Sequence, residues 1–142
     1  MKRTMALAAV LGVVAFAAAQ ASASSGPITI PYAKTCEVVN SVLQCSGTAG
    51  NGGTIFMQVT SLRASGDAAQ LTLTEWITLG GGIGFEAEMS GHLTPAGFIV
   101  LNGTVTDGWY VGAEVHQRSK LISGTATTTE WTGELQLMPA SA

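Results

Sequence analysis

Leu71-Thr72-Leu73-Thr74-Glu75-Trp76-Ile77-Thr78-Leu79, Gly80-Gly81-Gly82 and Ile83-Gly84-Phe85-Glu86-Ala87-Glu88-Met89 decide the fold. Two runs alternate apolar with polar residues across three glycines. Alternation of period two is the mark of a half-buried strand. Three residues ending in glycine fit a hairpin loop that closes on a left-handed residue, where glycine carries no Cβ penalty. The same unit recurs along residues 54–137. Ala64-Ser65-Gly66, Pro95-Ala96-Gly97, Thr106-Asp107-Gly108 and Ile122-Ser123-Gly124 each end on glycine. Six strands follow.

Loops of this kind pair odd positions with odd positions. Val59 then opposes Leu71, Leu71 opposes Gly91, Gly91 opposes Leu101, Leu101 opposes Ala113, and Ala113 opposes Gly133. A second row runs through Met57, Leu73, Met89, Gly103, Val111 and Leu135. A third holds Ile55, Glu75, Ala87, Val105, Trp109 and Leu137. Nearly every odd position is apolar or glycine, and a one-residue slip would scatter that face. The even face is polar and acidic. A sheet with one apolar face must cover it, and closure does so most economically.

Upstream, Cys36-Glu37-Val38-Val39-Asn40-Ser41-Val42-Leu43-Gln44-Cys45 reads as a hairpin with a two-residue turn at Asn40-Ser41. Counting out from the turn puts Cys36 opposite Cys45 in a non-hydrogen-bonded pair, close enough for a disulfide. Two more strands bring the total to about eight. The expected fold is a small all-β antiparallel up-and-down barrel, a size that side chains or one small ligand can fill. Ser24–Lys34, with Pro27 and Pro31, reads as a lead-in in which Ile28–Ile30 can be extended on an edge, and Ser46–Gly53 as a flexible loop.

Lys2 and Arg3 precede an uncharged apolar run from Met5 to Ala19, and Ala21-Ser22-Ala23 fits a cleavage site. Residues 1–23 read as a secretory signal peptide and 24–142 as a single barrel domain. Export implies a secreted or periplasmic location, which suits a disulfide. The exported part carries four basic and nine acidic residues, a net charge of −5. That balance disfavours nucleic acid and anionic membranes as partners.

Glu75 is the one charge on the apolar face. It either points inward, to bind a ligand's polar group or serve as an acid or base, or is turned outward by a bulge that brings Trp76 in. The bulge avoids the cost of a lone buried carboxylate. Trp76, Trp109 and Trp131 join Glu75 as ligand-binding candidates; Trp109 and Trp131 fall on the core face, where they either serve packing or line a pocket at the barrel mouth. His92 and His116 lie on the polar face, too far apart to share a metal, and no cofactor motif is present. Glu86, Glu88 and Glu114 share the convex face rather than a cleft, so a glycosidase pair is disfavoured. Asn102-Gly103-Thr104 is a glycosylation sequon by pattern but falls within a strand. Thr128-Thr129-Glu130-Trp131-Thr132-Gly133 resembles a stretch late in avidin-type barrels. The resemblance spans six residues and brings no identifiable cradle for biotin's ureido group, so that family is not assigned.

The expected function is non-enzymatic binding, of a small apolar ligand inside the barrel or of a protein or glycan at its loops. Two alternatives remain open. One is an eight-stranded outer-membrane barrel with odd residues facing lipid. The other is a cyclase or isomerase that uses Glu75 in a barrel cavity.

Overall fold

The computed structural model describes residues 26–138. The signal-peptide reading of residues 1–23 lies outside them. Eight antiparallel strands form one closed barrel in chain order: β1 (Ile28–Val39), β2 (Val42–Ala49), β3 (Gly53–Ser65), β4 (Ala68–Thr78), β5 (Gly84–Leu93), β6 (Phe98–Gly108), β7 (Glu114–Gly124) and β8 (Thr128–Met138). β1 pairs with β8, so no strand edge is left free.

The cysteine hairpin has the expected register. Val39 opposes Val42 and Cys36 opposes Cys45, which are disulfide-bonded. Asn40 and Ser41 both take positive φ, as a two-residue turn matched to strand twist requires. The lead-in and the flexible loop are corrected. Residues 28–39 are one long strand, and the link after β2 shrinks to Gly50–Gly52. Pro31 is tolerated because a strand residue's N and C=O face the same neighbour. Its carbonyl accepts from Gly50 N–H at 2.7 Å, so its nitrogen points just past the end of β2.

In the meander, Leu71 opposes Gly91 and Gly91 opposes Leu101, as expected. The loops at Gly80–Gly82 and Pro95–Gly97 are where the glycines put them. Three other registers differ. Val59 opposes Leu73 rather than Leu71, because β3 turns at Gly66-Asp67 and bulges at Thr60. Leu101 opposes Gln117 rather than Ala113, because β6 runs on past Thr106 and the link extends to Gly112. Gly133 opposes Ser119 rather than Ala113, because Ile122–Gly124 stays in β7 and the chain turns at Thr125–Thr128.

The odd face nonetheless survives. The two-residue turn after β3 pairs odd with even, and one bulged residue restores odd with odd. The bulge at Ile122 does the same between β7 and β8. The casualties are residues in the lengthened link. Val111 is 58% exposed instead of sharing the dry face, and Trp109 packs across the barrel's end instead of along a strand.

Val59, Leu73, Met89, Gly103, Val115, Leu137 and Ile28 lie on one pairing row, and Val38 and Leu43 complete it. β1 is thus met again ten residues below the start. That stagger over eight strands tilts them by roughly 40°. Glycines make room for the curvature. A Cβ on Gly91 would lie 1.8 Å from Val100 O, and one on Gly103 would lie 2.0 Å from Glu88 O and 2.6 Å from Met89 Sδ. Neighbouring backbone occupies that space.

The candidate site inside the barrel

The interior is layered. At the lower end, Ile55, Ile77, Val105, Val115, Leu135 and Leu137 are fully buried. Trp109 and Tyr110, with ring centroids 4.2 Å apart, pack against this floor from the link after β6. Trp109 N–H donates to Gly84 O, which ties that link to β5. The upper end differs. Val38 and Leu62 stand opposite Leu43 and Leu71 and share their inward side, yet they are 64% and 56% exposed. Leu121, opposite buried Trp131, is also exposed. The barrel is therefore a shallow cup, stoppered below, closed at mid-height by buried Leu71, Ile99 and Trp131, and apolar at its open rim.

Between rim and floor lies a polar layer. Tyr32 and Lys34 reach it from β1, Glu75 from β4, and Gln117 and Ser119 from β7; all five are buried. Strand alternation places them there. Tyr32 and Lys34 are in phase with inward Cys36, and Gln117 and Ser119 with inward Val115. Tyr32 Oη and Ser119 Oγ share a hydrogen bond. Lys34 Nζ donates to Met57 Sδ at 3.0 Å and lies 5.3 Å from the centre of the Tyr32 ring. Among the described residues no ion pair joins Lys34 to Glu75. Both carboxylate oxygens of Glu75 and both amide atoms of Gln117 are buried without a hydrogen-bond partner.

Burial dominates the electrostatics. It pushes the Glu75 carboxyl up to about 7, against the opposing pull of the Lys34 charge and of the Gln117 amide close by. The amide lies beside the carboxylate without meeting hydrogen-bond geometry. Burial lowers Lys34 to about 8, with Glu75 acting the other way. The Tyr32 phenol rises to about 12, again through burial, with its bond to Ser119 opposing. Neutral pH therefore falls where the layer's net charge is most easily altered.

The structure separates the sequence candidates. Glu75 points inward, so the outward-turning bulge is not the solution adopted. Trp76 lies outside, 5.6 Å from Phe56 between ring centres, and donates from Nε1 to Glu86 Oε1 at 3.0 Å. Trp131 is inside, just above the polar layer, and donates to Thr129 Oγ1 at 2.8 Å. Trp109 belongs to the floor. Of the four candidates only Glu75 and Trp131 are buried inside the barrel wall at or above the polar layer. Tyr32, Lys34, Gln117 and Ser119 were missed. Their signal was phase: residues two and four before a cysteine that must face inward, and two odd positions after Val115.

The outer face carries the remaining candidates. Glu88 accepts from Thr74 Oγ1, and His116 contacts Asn102 and Glu114. Among the described residues no group of three or more metal-ligating side chains comes together. Two surface depressions, of ≈ 410 and ≈ 220 Å³, lie over β4–β5 and β6–β8 outside the barrel. The odd residues that an outer-membrane barrel would set against lipid are inside, and Thr72, Thr74, Glu86, Glu88 and Glu134 face outward. The chain matches no known protein family, no curated protein and no solved structure.

Proposed function

We propose that this chain is an exported, non-enzymatic binding protein that admits a small apolar molecule through the upper rim of the barrel. The observation that carries the reading is the asymmetry of the cup. Inward-facing Val38, Leu62 and Leu121 are left open to solvent at one end, while the other end is sealed. Exposed apolar side chains that converge on one opening are characteristic of ligand sites. The disulfide supports an oxidising compartment, and the polar outer face supports a freely dissolved barrel.

Leu71, Ile99 and Trp131 are nearly closed over the polar layer, so a ligand that reaches it must spread them. Trp131 is then a built-in reporter. Native mass spectrometry and tryptophan fluorescence against lipids, pigments and glycans test the reading. An apolar compound is expected to bind one to one, to shift tryptophan emission, and to lose affinity in Leu62→Lys. A panel in which only glycans bind, or in which Leu62→Lys changes nothing, would refute it.

Glu75 supports a second reading. A buried carboxyl with its pKa raised to about 7 suits an acid–base residue in a cyclase or isomerase. That reading requires a bound ligand to be converted, and conversion to stop in Glu75→Gln while binding persists.

A further inference from the structure

The four unpartnered polar atoms in the middle layer say more than that something binds. We infer that the cup selects an uncharged amphiphile whose polar end both donates and accepts hydrogen bonds, with a primary carboxamide as the best match and an alcohol next. This rests on the binding reading above and specifies its ligand.

Glu75 Oε1 and Oε2 accept, Gln117 Oε1 accepts, and Gln117 Nε2 donates; each is buried and unpaired. An unmet polar atom in such a place is costly, so a group that satisfies several at once gains affinity from each. A carboxamide can pair reciprocally with the Gln117 amide, accepting from Nε2 and donating to Oε1. Its second N–H remains for Glu75. A hydroxyl offers one donor and can accept as well, and so satisfies fewer of them.

Charge sets the second condition. The layer holds one acid and one base, Glu75 and Lys34, whose charges offset each other. A carboxylate head would add an unbalanced negative charge beside Glu75, and an ammonium head an unbalanced positive charge beside Lys34. Either would be buried. The apolar tail would run up the inner side of β4. Ala69 lies six residues above Glu75 on the same side of β4. At the strand tilt that is roughly 15 Å of height, filled by the buried side chains of Leu73 and Leu71, which the tail must displace on its way to the rim.

Four probes with one ten-carbon tail test this on the unaltered protein at pH 7.5: decanamide, 1-decanol, decanoate and decylammonium, titrated by tryptophan fluorescence and checked by native mass spectrometry. Decanamide is expected to bind at least tenfold more tightly than either charged probe, with decanol between. Gln117→Leu should bring decanamide down to the level of decanol. A charged probe that equals or exceeds decanamide overturns the inference and leaves the binding reading intact. So does a wild-type ranking that Gln117→Leu fails to disturb. Binding of none of the four overturns it as well, and a silent wider panel of apolar compounds takes the binding reading with it.

Discussion

Stability should fall, not rise, as the solution passes from pH 5 to pH 8, and Glu75 should be the cause. Its carboxyl moves from an ordinary value of 4.5 to about 7 on folding. The folded state then holds a proton that the unfolded chain has released, and a raised folded pKa means stability that is full below the unfolded value and lost as pH climbs through the folded one. A shift of that size corresponds to a loss on the order of 2–3 kcal/mol from pH 5 to pH 8. Lys34 has the opposite sign. Its folded value is lowered from 10.5 to about 8, so stability recovers from about pH 8 upward. The combined curve has a trough slightly above neutrality, where many proteins are near their best. Guanidinium denaturation at half-unit pH steps, with the disulfide intact, reads it directly. Glu75→Gln should flatten the limb between pH 5 and pH 8 and leave the rise above pH 8. A wild-type profile that is flat or rising over the acid limb would refute the reasoning. So would a Glu75→Gln profile that keeps the wild-type slope.

Lys34→Met should cost more stability at pH 8 than at pH 5, since it leaves an ionised Glu75 alone only at the higher pH; the double variant Lys34→Met/Glu75→Leu should match or exceed wild type, by up to about 3 kcal/mol, in the same denaturation assay. Reducing the Cys36–Cys45 bond, which joins residues nine apart, should cost about 2.6 kcal/mol and lower Tm by roughly 10 °C in a melt with and without reductant. Gly91→Ala should destabilise by about 3 kcal/mol or more, or prevent folding, because its Cβ would fall 1.8 Å from Val100 O; thermal melts and soluble yield are the measures.

The fold was legible because two signals were redundant. The alternation from Ile55 to Leu137 states which residues face inward, and the cysteine spacing states the phase of β1 and β2. Register was less legible. Glycine marks a turn only to within a residue or two. Gly66 begins a two-residue turn rather than ending a three-residue one, and Gly124 turns nothing. A bulge at Thr60 or Ile122 leaves no compositional trace, since it is set by pairing with a distant strand. The site suffered from a different gap. Pro31 made residues 24–34 resemble a lead-in, and that hid Tyr32 and Lys34, although both share the phase of Cys36. The preference for turning Glu75 outward weighed the cost of a lone buried carboxylate. The lysine that offsets this cost stands on β1, a strand that Pro31 disguises in the sequence.

Ile28 and Leu137 are paired neighbours at the sealed end, so β1 begins and β8 ends side by side, away from the opening. A tether or carrier domain joined to either terminus would hang from the base and leave the entrance facing outward. The same adjacency makes the barrel a candidate for circular permutation: a short linker could join the two ends, and new termini could be cut at Gly66-Asp67 without severing the disulfide hairpin.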